Sequence, residues 1–260
     1  MTLIMLANMF DLTGRNAVVT GSTKGIGKAI AVALAQHGAR VVISSRDEKR
    51  VNSTVDELRS NDLEVIGIPC NVSRKNELQS LVSETNERWG NIDILVGNAA
   101  INPHYGSALE VPDEIFSKIL ASNIQSNLWL AQLVAPGMRN KQDGAIIFVS
   151  SIGGFFGSEV IGTYCISKAG DFQLARNLAV ELGPDNIRVN CIAPGLVKTD
   201  FARKLWEDPE SSNARIQRTP LGRLGEPDDV AGIAVYLASD AGRWTTGQTI
   251  VVDGGVSISK

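Results

Sequence analysis

Tyr164 is followed four residues later by Lys168 and preceded thirteen residues earlier by Ser151, three side chains able to run acid-base chemistry at a carbonyl oxygen. A phenol titrates near pH ~10, too high for proton transfer at neutral pH unless a neighbouring cation favours the phenolate. Lys168 can supply that cation, because residues four apart on a helix project from one face. Ser151 follows the apolar run Ala145–Val149, which reads as a buried strand, and its hydroxyl can hold a substrate carbonyl oxygen. A strand end and a helix face must converge for this to work.

Tyr-x-x-x-Lys also arises by chance, so the reading leans on a second motif, Thr20-Gly21-Ser22-Thr23-Lys24-Gly25-Ile26-Gly27. It lies between the short apolar strand Asn16–Thr20 and the segment Ile26–Ala35, whose apolar spacing fits a helix packed on a sheet. A strand, a glycine-rich turn and a helix start together make a pyrophosphate cradle. The free amide groups and dipole of the helix start favour phosphate, and residues without Cβ let it approach the backbone.

Strands are expected at Asn16–Thr20, Arg40–Ser44, Glu64–Pro69, Ile92–Gly97, Ala145–Val149, Arg188–Ile192 and Thr249–Val252, separated by helical stretches. Their continuous apolar character suits a parallel sheet covered on both faces. The fold class is α/β: a doubly wound, seven-stranded Rossmann-type sheet in a single domain over residues 1–260. Gly21, Arg46, Asn71, Asn98, Ser151 and Pro194 each fall just after an expected strand, which puts them along the carboxyl edge where such sheets bind ligands. Thr199 through Arg223, rich in charge and proline, reads as a substrate lid, and residues 1–9 as a flexible lead-in.

These motifs, in this order, resemble the short-chain dehydrogenase/reductase family over nearly the whole chain. The likeness rests on Thr20 to Gly27, Asn98-Ala99-Ala100, Asn123, the Ser151/Tyr164/Lys168 set and Pro194-Gly195-Leu196-Val197-Lys198-Thr199. Asn102-Pro103 and the run Arg188 to Leu196 are similar to the branch of NADP-dependent carbonyl and retinal reductases. Two positions depart from the family pattern: Ala100 stands where glycine is usual, and Asn71-Val72 where Asp-Val commonly reads the adenine amino group.

The resemblance implies a role for each residue. Tyr164 donates a proton to the carbonyl oxygen as hydride arrives from the nicotinamide, and Lys168 lowers the Tyr164 pKa and holds the nicotinamide ribose. Ser151 polarises the carbonyl; Ser150 is adjacent, but the family spacing selects Ser151. Asn123 holds a water that connects Lys168 to solvent, with Asn127 one turn further along the same helix. Gly21, Ser22, Lys24, Gly25, Ile26 and Gly27 form the cofactor cradle, joined by Asn71, Val72, Asn98 and Ala99 on the adenosine side. Pro194, Gly195, Val197 and Thr199 meet the carboxamide and pyrophosphate. His104 and Trp206 are expected at the substrate pocket. The family also implies a homotetramer built through the helices carrying Asn123 and Tyr164, the second with an apolar stripe of Phe172, Leu174, Leu178 and Leu182.

Cofactor choice turns on the end of the second strand. NAD-binding sheets place a carboxylate there to hold the ribose 2′-hydroxyl, whereas a 2′-phosphate needs a cation. Ser45 occupies that position and Arg46 follows it, with Lys24 able to approach from the glycine loop. NADP(H) is the expected cofactor and NAD(H) the runner-up, since Arg46 can also stack on adenine.

A net charge of −3 gives no electrostatic footprint for nucleic acid or anionic membranes. The cysteines are Cys70, Cys165 and Cys191, with no metal-ligand spacing; buried thiols in a reducing compartment, with the cytoplasm as default, are the expectation, and no metal is implied. The expected activity is hydride transfer between NADPH and a ketone or aldehyde. A 3-oxoacyl-[acyl-carrier-protein] reductase would share every catalytic residue, although Val180 stands where a carrier-docking arginine is typical. A non-catalytic dinucleotide sensor is the alternative of another class, and the intact catalytic set weighs against it.

Overall fold

Short runs rich in Val and Ile, such as Ala17–Val19 and Val41–Ile43, cannot leave either face in water, and side chains alternate across a strand. Both faces are accordingly covered. In the computed structural model, which describes residues 9–259, seven parallel strands form one sheet in the order β3-β2-β1-β4-β5-β6-β7. They are β1 (Asn16–Thr20), β2 (Arg40–Ser44), β3 (Val65–Gly67), β4 (Ile94–Gly97), β5 (Gly144–Val149), β6 (Ile187–Pro194) and β7 (Thr249–Val252).

Alternation divides the core into two. Val18, Val42, Leu95, Ile146 and Phe148 face one layer, packed against α3 (Lys75–Trp89), α5 (Ser126–Lys141) and α6 (Gly162–Leu182). Val19, Ile43, Val96 and Ile147 face the other, against α1 (Gly25–Gln36), α2 (Glu48–Arg59) and α9 (Pro227–Ala238). Each such buried aliphatic side chain contributes about 1.5–3 kcal/mol of hydrophobic stabilisation before entropy is counted. Between β4 and α5 runs α4 (Asp113–Leu120), which continues into α5 through a π-turn at Ala121–Gln125. The segment after β6 holds two short helices, α7 (Arg203–Trp206) and α8 (Pro209–Arg218).

The chain leaves β1 towards β2 on one side and enters β4 on the other, so the carboxyl ends of β1 and β4 border a crevice. Val18 pairs in register with both Val42 and Leu95, which fixes the two walls of that crevice.

The expected strands are all present; β1, β2 and β7 have the expected bounds, and the other four have shifted ends. β3 is shorter than Glu64–Pro69, although Ile68 N–H still donates to Ile43 (3.0 Å) and Cys70 N–H to Ser45 (2.9 Å). β4 begins at Ile94, although Asp93 N–H still donates to the Asn16 carbonyl (2.9 Å) and the Asp93 carbonyl accepts from Ala145 N–H (3.0 Å); its carboxylate accepts from the Asn16 backbone N–H (2.9 Å). Of the expected lead-in over 1–9, all but Met9 lies outside the described residues; the Met9 carbonyl accepts from Ala241 N–H at 3.0 Å. Among the described residues no helix is long and apolar enough to cross a membrane.

Candidate active site

The glycine loop is shaped by contacts that leave no room for side chains. Gly21 and Gly25 have φ of +66° and +56°, and a Cβ on Gly21 would stand 3.0 Å from Asn98 Nδ2. A Cβ on Gly27 would collide with the Gly21 carbonyl. Asn98, expected at the adenosine, donates to the Thr20 (2.8 Å) and Gly21 (3.2 Å) carbonyls, so its amide braces the loop. Ser22 is fully buried, and its hydroxyl donates to Val19 (2.7 Å) and accepts from Ser44 N–H (2.9 Å). It clamps β1 to β2 and presents no side-chain group to the crevice.

Asp47 caps α2, Asp208 caps α8, and Glu226 with Asp229 forms a capping box on α9. α1 starts after Lys24 with no side-chain cap and no acid in its first turn, as do α6 and α7, but it alone of these three follows the glycine loop. Glycines without space for Cβ, before an uncapped helix start, fit a pyrophosphate.

At the end of β2, Arg46 is exposed and, among the described residues, has no carboxylate partner, because Asp47 caps α2 and pairs with Arg50 (3.2 Å). Lys24 reaches across the crevice to Asp200 after β6 (3.1 Å). The Asn71 side-chain oxygen accepts from Ser73 N–H (3.1 Å), which leaves it one further lone pair. Val72 packs on the core, Val197 is buried beside Gly225, and Thr199 lies against the Cβ-less Gly25.

The chemical residues meet where β5 ends beside α6. Ser151 accepts from Gly153 N–H (3.0 Å) and starts a short turn, while Tyr164 is buried on α6. Lys168 is fully buried: its ammonium donates to the Val149 carbonyl (2.9 Å) and to the Asp171 carboxylate (3.1 Å), and lies 5.7 Å from the Tyr164 ring centre. Ser150 donates to the Lys168 carbonyl (2.8 Å), holding strand end and helix together, so Ser151 is the serine of the pair whose hydroxyl lies at Tyr164.

The electrostatic balance differs from expectation. Burial pushes the Tyr164 phenol above its ordinary value; Lys168 and Ser151 pull it down, while Asp171 adds to the rise. Lys168 thus opposes the shift without overcoming it. Burial also works against the Lys168 ammonium, but Asp171 and Tyr164 outweigh it, and the lysine pKa lies above its ordinary value.

Asn123 is buried in the π-turn, a helix irregularity frequent at functional sites. Its side chain exchanges hydrogen bonds with Ile101 N–H and C=O (2.9 and 3.0 Å) and donates to Ser167 (2.9 Å). Asn127 donates to the Asn123 carbonyl (3.0 Å) and to Asp171 (3.0 Å). Both asparagines therefore belong to one buried polar chain that ends at Lys168.

The two residues expected at the substrate pocket are each held by a local hydrogen bond. His104 bonds the Ser107 carbonyl within its own loop (3.0 Å), and Trp206 donates its indole N–H to Thr199 (3.0 Å), pinning α7 to the segment before it. Phe201, which no sequence motif marks, is the aromatic side chain that reaches Tyr164. Lys204 lies over the Tyr105 ring at 4.7 Å and ties the same segment to the loop after β4. Beside Ile152 a cavity of about 600 Å³ opens between this segment and the chain end, lined by Phe156, Leu196, Leu221 and Arg218. The three cysteines are free and buried. The apolar stripe on α6 packs on the core: Phe172, Leu178 and Leu182 are buried in it, and the partly buried Leu174 packs against it.

The family model described as "Enoyl-(Acyl carrier protein) reductase" matches residues 21–257. Human "Dehydrogenase/reductase SDR family member 4" is 43% identical over 244 residues, covering 94% of this chain and 88% of that protein. The protein of the same name from Caenorhabditis elegans is 41% identical, covering 97% and 98%. Among solved structures, a gluconate 5-dehydrogenase from Burkholderia cenocepacia in complex with NADP and tartrate superposes with a TM-score of 0.94 at 30% identity, covering 98% of this chain and 100% of that one. A 7α-hydroxysteroid dehydrogenase complexed with NADH and 7-oxo glycochenodeoxycholic acid gives 0.92 at 35% identity, with 96% of each chain covered. Motif order, sheet topology and these likenesses agree: the chain belongs to the short-chain dehydrogenase/reductase family, oxidoreductases that act on alcohol and carbonyl groups.

Proposed function

We propose that the protein is an NADPH-dependent reductase of small to medium apolar ketones and aldehydes, oxidising secondary alcohols in reverse. The observation that carries this reading is the convergence of Ser151, Tyr164 and Lys168 at one strand end, with the Phe201 ring tilted against that of the tyrosine. The nicotinamide, when bound, supplies or accepts the hydride. Gly21, Gly25 and Gly27 with the start of α1 would hold its pyrophosphate, and Arg46 its 2′-phosphate. Of the two solved structures above, one holds NADP and the other NADH, so the choice rests on this chain's own Arg46 and Lys24.

Tyr164 is the acid for the substrate oxygen: in reduction its phenol gives up the proton, and in oxidation its phenolate takes one. Ser151 orients that oxygen, and Lys168 keeps a positive charge beneath the ring. Such proton transfer is worth ~10²–10⁴-fold in rate. Phe201, Phe156 and Leu196 suit an apolar body around the carbonyl. The segment 199–223 acts as the lid. Val180 is 81% exposed and presents no cation to an acidic carrier, which favours free carbonyl compounds over carrier-linked ones.

Free, buried thiols suit a reducing compartment, for which the cytoplasm is our assignment. Homotetramer formation through α5 and α6 is inferred from family membership; the large exposed apolar residues on α6 are Ile166 and Val180. A mass of one chain in light scattering at micromolar concentration overturns that assembly.

The deciding experiment follows NADPH consumption across free ketones, aldehydes and 3-oxoacyl carrier thioesters. Turnover of free apolar carbonyls supports the proposal. Turnover of carrier thioesters alone replaces it with the acyl-chain reductase, and NADPH binding without turnover of any compound replaces it with a sensor.

A further inference from the structure

Asp171 lies three residues beyond Lys168 on α6 and is as inaccessible to water as the lysine. One carboxylate oxygen accepts from the Lys168 ammonium (3.1 Å), the other from Asn127 Nδ2 (3.0 Å). Asn127 in turn holds the Asn123 carbonyl, and Lys168 also donates to Val149 at the end of β5. A buried ion pair of this kind adds little net stability, because desolvation offsets the attraction and apolar side chains of similar volume fill the space as well. Core packing alone therefore gives no reason for a carboxylate here. Its place against the one ammonium that acts on Tyr164 does.

We propose that Asp171 is a positioning residue of the reaction centre: its carboxylate anchors the Lys168 ammonium at the end of β5 and sets the proton affinity of the Tyr164–Lys168 pair. This rests on the reading of Tyr164 as the proton-transfer group. The titratable neighbours are few. Cys165 shares α6, and Cys191 on β6 donates its thiol to the Asp171 carbonyl (3.3 Å); burial pushes both thiols up, so both are neutral near pH 7. From α5 and β5 the facing groups are Asn127 and Ser150, which do not titrate. Burial pushes the Asp171 carboxyl above its ordinary value, while the Lys168 ammonium and the Asn127 amide act to keep it ionised; held against that ammonium, it is the negative charge that the pair feels.

The sign follows from charge alone. With Asp171 ionised, the cluster of Asp171, Lys168 and Tyr164 is neutral when the phenol is protonated and carries −1 once the pair has lost a proton. Without the carboxylate the same loss takes it from +1 to neutral in a buried site, which is easier. The two groups share one macroscopic titration, so its apparent pKa falls whichever of them yields the proton.

The test is the pH profile of kcat/KM for alcohol oxidation in the wild type, Asp171→Asn and Asp171→Ser, with folding checked by circular dichroism. We expect the alkaline-rising limb to move to lower pH by about one unit or more in folded neutral variants, a tenfold change in proton affinity. A folded neutral variant with the wild-type profile, or one shifted upward, overturns the proposal. If neither folds, Asp171→Glu carries the decision: recovery of fold and profile supports anchoring by charge, while failure of that variant too shows that the position is steric and overturns it. Tyr164→Phe separates the two levels. Full turnover in that variant removes the underlying reading, whereas a dead Tyr164→Phe beside an unshifted Asp171→Asn removes only the role of Asp171.

Discussion

The Phe201 ring stands 5.9 Å from the ring of Tyr164, tilted by 47°, and remains 45% exposed. It comes from the segment after β6, so that segment meets the reacting group through this side chain. Aromatic pairs of this kind are worth about 0.5–1.5 kcal/mol beyond the area they bury. Phe201→Ala should raise KM for apolar ketones ~3–10-fold while leaving NADPH affinity, read by cofactor fluorescence, within about twofold. An unchanged KM would place the substrate elsewhere.

Replacing Tyr164 by Phe removes the transferable proton but keeps the ring that Phe201 packs on. Turnover should fall by ~10²–10⁴-fold with cofactor binding retained. Lys168→Ala should cost rate and cofactor affinity together, because one ammonium serves both.

The raised Tyr164 pKa predicts opposite pH trends for the two directions. Reduction uses the protonated phenol and should hold up to alkaline pH, falling only as the phenol ionises. Oxidation uses the phenolate and should climb over the same range. Initial rates in both directions across pH 6–11 check this, and parallel profiles would remove Tyr164 as the common titrating group.

Gly21 is where the backbone itself determines the residue. A methyl there is strained at φ +66° and stands 3.2 Å from the Ala99 Cα. Gly21→Ala should lower stability by about 1–2 kcal/mol, the usual cost of left-handed backbone for other residues, and weaken NADPH binding tenfold or more. Thermal melts and fluorescence titration read the two effects separately.

The sheet was legible because its strands are short apolar runs and its special residues follow them, a pattern that topology alone enforces. The roles of several side chains were not. Ser22 and Asn98 sit in motifs that suggest ligand contact, yet their polar groups satisfy the backbone of β1 and the loop. Asp171 was hidden for another reason. Helix α6 buries Tyr164, Cys165, Ser167, Lys168 and Asp171 together, so it has no clean polar face, and an acid one turn past a lysine reads like any solvated pair. Phe201 and the Lys24–Asp200 bridge join positions far apart in the chain, which no local spacing encodes.

That bridge bears on cofactor choice. Arg46 is free to grip a 2′-phosphate, but Lys24 pairs with Asp200 at 3.1 Å, both half exposed. An exposed pair of this kind is worth about 0.2–1 kcal/mol, so a phosphate can draw Lys24 away at small cost. Three variants separate the contributions. Ser45→Asp with Arg46→Ala should invert the preference, because a carboxylate at the end of β2 repels the phosphate and holds the 2′-hydroxyl. Asp200→Asn frees Lys24 and removes a nearby negative charge, so it should lower KM for NADPH up to ~5-fold and leave that for NADH unchanged. Lys24→Ala should raise KM for NADPH alone. The measurement is the ratio of kcat/KM for the two cofactors in each protein. A wild-type preference for NADH, or a ratio that none of the three variants moves, would show that neither Arg46 nor Lys24 reads the phosphate.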